Sequence, residues 1–128
     1  MGTKIAFYVR VSTTDKQDFS SQISALEDVV KNQKVSHGGI DVYKEKVSGY
    51  KNEDEREGLG KLLKRIKEDK DYYSCVYVTE ISRIGRRAIH VRDVLKEFEE
   101  SKVNLYIASL ELYLLNPDGI RNSYGNIV

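Results

Sequence analysis

Arg10 and Ser12 stand two residues apart at the end of an apolar run, and Arg83, Arg86 and Arg87 follow a second such run. A guanidinium keeps its charge at any ordinary pH, and burying it without a partner is costly. Every neighbour of Arg10 reads as buried, so Arg10 calls for either an internal carboxylate or an anionic ligand. A hydroxyl next to fixed cations suits phosphoryl transfer, where negative charge spreads over non-bridging oxygens. Taken alone, a serine at a strand-to-helix turn is a turn or cap residue. A cluster of arginines alone is a solvated basic turn, and Arg56, in a polar stretch, says little by itself. Arg83 and Arg86 are three residues apart and share a face if that turn is helical. The combination of serine and arginines, not any one member, points to a phosphate.

The elements that must hold these groups follow from hydrophobic spacing. Residues 4–11 are apolar on both alternating faces, Ile5, Phe7, Val9 and Val11 on one and Ala6, Tyr8, Arg10 and Ser12 on the other. That is the pattern of a strand covered on both sides. Asp18, Ser20 and Ser21 are candidate N-caps for a helix marked by Ile23, Leu26 and Val30 and running to about residue 34. His37-Gly38-Gly39 reads as a turn, and residues 40–46 as a second strand. Residues 47–55 form a polar loop containing Gly49. Asp54 with Glu57 resembles a capping box ahead of a helix with Leu59, Leu62, Leu63 and Ile66 on one face. A strand over 73–79, a helix marked by Val91, Val94, Leu95 and Phe98, and a strand over 103–109 complete the alternation.

Alternating strands and helices predict an α/β fold: a three-layer α/β/α sandwich around a mainly parallel sheet of four to five strands. In such folds functional groups gather beyond the carboxyl ends of the strands. The three chemically loaded loops, 10–22, 47–56 and 80–87, all fall there. The last segment contains Asn116-Pro117-Asp118-Gly119, where a helix can begin, and Ile120, Tyr124 and Ile127 keep helical spacing.

Composition narrows the classes. A chain of 128 residues, 40% hydrophobic and 32% charged, suffices for one domain with a core of real size. Its single cysteine, Cys75, rules out an internal disulfide framework and reads as a small buried hydrophobe, in keeping with a cytoplasmic location. No apolar run reaches the roughly 18 residues of a membrane span, and no signal-peptide pattern precedes residue 4. The net charge of +1 conceals the arginines behind acidic stretches such as Glu53-Asp54-Glu55. Two histidines, His37 and His90, lack metal-ligand spacing, and the nine tyrosines read as packing and surface residues, with Tyr8 and Tyr50 the two that could approach a nucleic acid. Neither a phosphate-binding Gly-x-x-x-x-Gly-Lys-Ser/Thr loop nor a Gly-x-Gly-x-x-Gly fingerprint is present, and the first strand does not end in the acidic cluster of a receiver domain.

Tyr8-Val9-Arg10-Val11-Ser12-Thr13 followed by Gln17 resembles the signature of the resolvase/invertase serine site-specific recombinases. Ser48-Gly49 with Arg56-Glu57-Gly58-Leu59 resembles the family's mobile loop and its arginine, and Ile81-Ser82-Arg83-Ile84-Gly85-Arg86 its paired-arginine motif. The likeness covers about residues 3–120, with three motifs in order at predicted strand ends. It implies a resolvase-like catalytic domain over residues 1–128, ending near the start of a long dimerisation helix. It implies a DNA recombinase in which Ser12 cleaves and rejoins phosphodiesters through a 5′-phosphoserine, without ATP, metal or other cofactor. Arg10, Arg56, Arg83 and Arg86 would act on the scissile phosphate, with Gln22 bonding the phosphate or positioning Arg10. Gln17 and Arg87 join Arg10, Arg56, Arg83 and Arg86 as expected DNA contacts. The implied partners are double-stranded DNA and further copies of the chain, a homodimer assembling into a synaptic tetramer.

Two departures accompany the likeness. Many members carry aspartate immediately before the first arginine of the pair, where this chain has Ser82, with Glu80 the candidate substitute near it in sequence. Gln17 and Gln22 align only with a one-residue insertion after Ser12. The alternative is a recombinase-derived DNA-binding or regulatory protein that has lost catalysis, which Ser82 and the low net charge would favour.

Overall fold

The computed structural model describes residues 3–12, 19–47, 57–85 and 87–116. The chain alternates β1 (Lys4–Ser12), α1 (Phe19–Asn32), β2 (Ile40–Val47), α2 (Glu57–Glu68), β3 (Tyr73–Val78), α3 (Ala88–Ser101) and β4 (Asn104–Ile107), then closes with β5 (Leu112–Tyr113). A 3₁₀ turn, Ile81–Arg83, lies between β3 and α3. The five strands form one sheet in the order β2-β1-β3-β4-β5, so β2 is an edge and β1 is internal. Neighbours are parallel except β4 and β5.

The alternation along β1 sorts its side chains into two cores. Ile5, Phe7 and Val9 pack with Leu26 and Val30 of α1 and with Cys75, Tyr77 and Tyr106 of neighbouring strands. Ala6 and Tyr8 pack on the other face with Leu59, Leu62 and Ile66 of α2 and Val91, Val94, Leu95 and Phe98 of α3. Among the described residues, one helix thus covers one face and two cover the other. Each large side chain moved from water to these cores contributes about 1.5–3 kcal/mol before conformational entropy is charged against it.

The helices stop in a way that glycine counting misses. Lys34 and Lys102 adopt left-handed backbone, with φ of 53° and 59°. The next residue then turns inward: Val35 N–H donates to the Val30 carbonyl and Val103 N–H to that of Phe98, both at 3.1 Å. This is the Schellman arrangement built on lysine in place of glycine. It ends α1 at Asn32, two residues short of the expected 34. The strand expected over 103–109 is cut to Asn104–Ile107 by a 3₁₀ turn, Ala108–Leu110, that reverses the chain into β5.

Candidate active site

Sheet order reverses between β1 and β3: α1 carries the chain from β1 to β2 on one side, and α3 carries it from β3 to β4 on the other. Such a switch point leaves a crevice beyond the strand ends. β1 outruns β3 there, since its pairing with β3 ends at Phe7 while its pairing with β2 continues to Ser12.

Arg10 lies in the part of β1 that has lost its β3 neighbour, and its backbone needs other partners. Gln22, from α1, supplies both. Its side-chain carbonyl accepts from Arg10 N–H at 3.2 Å, and its amide donates to the Arg10 carbonyl at 2.8 Å. One primary amide thus does the work of a strand. Gln22 is 3% exposed, so each of these bonds is shielded from water. Of the two roles expected for it, positioning Arg10 is the one its described bonds serve.

The 3₁₀ turn after β3 closes the crevice from the other side. Arg83 Nη1 donates to the Arg10 carbonyl at 3.1 Å, and Arg10 Nη2 donates to the Ser82 carbonyl at 3.3 Å. Arg10 and Arg83 are 6% and 8% exposed and interlocked, Arg83 bonding the backbone of Arg10 and Arg10 that of Ser82, the residue before Arg83. Carbonyl acceptors orient a guanidinium without cancelling its charge. A carboxylate stands further out: Glu80 Oε1 accepts from Ser82 Oγ at 2.6 Å and lies 3.8 Å from Arg83 Nη2.

Glu45 and Tyr8 belong to this end of the molecule and were not singled out from the sequence as site residues. Glu45 pairs with Arg10 in the β1–β2 register and is 7% exposed. Its Oε1 accepts from Tyr8 Oη at 3.2 Å and from Leu59 N–H, in the first turn of α2, at 3.0 Å. A carboxylate receiving a first-turn N–H satisfies an orphan donor and complements the helix dipole. The signal was available: Glu45 occupies an inward position in a strand where Tyr43 packs on the same core. The burial of Tyr8, at 0% exposure, removes it from any direct contact with DNA and makes it a brace for Glu45.

Ser12 is the last residue of β1, paired with Val47. Its side chain, and Gln17, Arg56 and Arg86, lie outside the described residues, as does Asp54 of the expected capping box. Arg87 is exposed at the N-cap of α3 and makes no side-chain cap bond. The described part of the expected phosphate set, Arg10 and Arg83 with Gln22, is therefore brought together at the switch point.

A sequence profile described as "Resolvase, N terminal domain" matches residues 5–120. The chain belongs to the resolvase family. Over 99 residues it is 32% identical to the Transposon Tn1546 resolvase of Enterococcus faecium, covering 77% of this chain and 44% of that protein. The resolvase-family chain therefore spans less than half the length of that curated relative. Among solved structures it resembles the N-terminal catalytic domain of TP901-1 integrase, with a TM-score of 0.67 and 25% identity, over 91% of this chain and 85% of the other. A resolvase family site-specific recombinase from Streptococcus pneumoniae shares the fold, with a TM-score of 0.68 and 22% identity, over 87% of this chain and 75% of the other. The α/β class read from the strand and helix spacing, and the resolvase-like fold that the resemblance implied, match these neighbours.

Proposed function

We propose that this chain is the catalytic domain of a DNA recombinase and that Ser12 is its nucleophile. The observation that carries the reading is the interlocked pair Arg10–Arg83, two buried cations at the sheet's switch point, two residues from Ser12. Buried cations gathered at a switch point, beside a serine at a strand end, suit an anionic ligand beyond the strands, which favours an active site over a relic.

In this reading Ser12 Oγ attacks a DNA phosphodiester in line. The Oγ–P bond forms, the P–O3′ bond breaks, the serine proton is released and the 3′-oxygen leaves as a hydroxyl. The 5′-phosphoserine ester preserves the phosphodiester's energy, so resealing by a new 3′-hydroxyl needs no ATP. Arg10 and Arg83, joined by Arg56 and Arg86, stabilise charge on the non-bridging oxygens, the role a metal plays elsewhere. Gln17 and Arg87 contact the DNA flanks. Double-stranded DNA is the substrate, and copies of the full-length protein assemble as a homodimer and then a synaptic tetramer.

The test is the covalent adduct. Full-length protein incubated with its crossover site and quenched with detergent should leave a protein–DNA ester that Ser12→Ala lacks. An adduct of undiminished yield in Ser12→Ala would remove Ser12 as nucleophile.

A further inference from the structure

We propose that Glu80, latched by Ser82, is the positioning residue of the arginine pair, and that it takes over from two residues upstream the work of the aspartate that Ser82 replaces. The inference rests on the reading of Arg10 and Arg83 as a phosphate site.

Four contacts meet on one short turn. Glu80 precedes the 3₁₀ turn, and Arg83 N–H donates to the Glu80 carbonyl at 3.1 Å. The extended backbone at Glu80 and the tight turn that follows bring its carboxylate to the side of the turn where the Arg83 guanidinium lies. The Ser82 hydroxyl donates to Glu80 Oε1 at 2.6 Å, and that same oxygen stands 3.8 Å from Arg83 Nη2. The Ser82 carbonyl, on the same residue, holds Arg10 Nη2 at 3.3 Å. The serine therefore holds the carboxylate that faces Arg83 through its side chain, and Arg10 through its backbone.

Its chemistry explains why the exchange is workable. An aspartate at residue 82 would carry a carboxylate on a short, stiff side chain. Glutamate has more rotors and, at 48% exposure, competing water. A short O–H···O⁻ bond from Ser82 removes that freedom. A half-exposed pair contributes little to stability, so its effect is directional: it fixes where Arg83 Nη2 points while Nη1 is held by the Arg10 carbonyl.

Moving the carboxylate back to residue 82 tests the inference. In the isotope-labelled protein, the Arg83 Nε–Hε signal should shift in Glu80→Gln and in Ser82→Ala, and return towards its wild-type position in Glu80→Gln/Ser82→Asp. In the full-length protein, each single variant should slow adduct formation about fivefold at unchanged DNA affinity, the size expected of a partly exposed ion pair. The double variant should recover to within about twofold. An Arg83 signal indifferent to Glu80→Gln, or a double variant no faster than Glu80→Gln, overturns the proposal. A wild-type protein that forms no adduct defeats the recombinase reading instead, and the Arg83 signal still decides the contact.

Discussion

The two ends of the sheet hold their charges by opposite rules. At the amino ends of the strands Lys4 and Arg65 each meet a carboxylate and a ring. Lys4 Nζ donates to Asp41 Oδ1 at 2.6 Å, Tyr73 Oη donates to Asp41 Oδ2 at 2.6 Å, and the Tyr43 and Tyr73 hydroxyls are 2.7 Å apart. Arg65 donates to Asp69 at 2.9 Å and lies 4.5 Å from the Tyr72 ring centre. At the carboxyl ends Arg10 and Arg83 donate to backbone carbonyls, with Glu80 at longer range. The first arrangement neutralises charge and stabilises the fold. The bonds described at the second orient the guanidiniums through neutral carbonyl acceptors, which suits the fixed geometry that an anionic substrate requires.

The comparison breaks most sharply at Arg10. Arg10→Lys keeps the charge but loses the fork that bridges to Ser82, so cleavage should fall about 100- to 1,000-fold, measured as adduct formation. A loss below about tenfold would mean that geometry matters little at this end. Gln22→Leu removes two buried bonds to the Arg10 backbone while the Arg10 carbonyl keeps Arg83, which should cost about 2 kcal/mol in urea unfolding along with cleavage. A neutral result would show that solvent replaces the amide.

Smaller effects separate neighbouring glycines of α2. A Cβ at Gly58 would sit 3.0 Å from Glu45 Oε1 and 3.3 Å from the Lys44 carbonyl, whereas one at Gly60 meets nothing within 4 Å. Gly60→Ala should therefore stabilise by up to about 1 kcal/mol through helix propensity. Gly58→Ala should lose that gain and destabilise by about 1 kcal/mol, by pushing Glu45 off its bonds to Tyr8 and Leu59. Equal effects in thermal melts would remove Glu45 as the clamp of α2.

The smallest effect belongs to the amino end. Burial pushes the Asp41 carboxyl upward, but bonds from Lys4 and Tyr73 outweigh it and hold the group below its ordinary 3.8. The native state binds that proton more weakly than the unfolded chain, so this stabilisation is complete above 3.8 and is lost as the pH falls below it through the native value. The Lys4 amine, bonded to Asp41, moves the other way, above 10.5. Asp41→Asn should flatten the decline of the urea midpoint between pH 5 and pH 2 and leave cleavage unchanged. A cleavage defect would show that the two ends are coupled.

The sequence made the layers legible because β1, α2 and α3 each obey one clean period, and Arg10 was conspicuous as a charge at an inward position. That Arg10 and Arg83 would share a site was implied only by the family resemblance, because alternation alone sets no strand order; the sheet places β1, which carries Arg10, beside β3, which leads into the Arg83 turn. What escaped depended on contacts between distant residues. Nothing local marks Gln22 as a surrogate strand, because that role exists only where β3 ends early. Glu45 looks like an ordinary acid in a strand edge until Leu59 N–H reaches it. The lysine-built helix ends escaped because left-handed backbone at Lys34 and Lys102 is stabilised by the inward valine that follows, not by the residue's own preference.

The position of β2 has a further consequence. It is eight residues long and forms the sheet's outer margin, with a row of peptide groups that another chain's strand could extend. Lys44 and Lys46 stand exposed along it. A lysine on such a margin is hard to desolvate and repels its counterpart on an identical strand. For a protein proposed to work among copies of itself, this opposes fibril-like growth along β2 and favours helices and loops as surfaces on which assembly can be both specific and reversible.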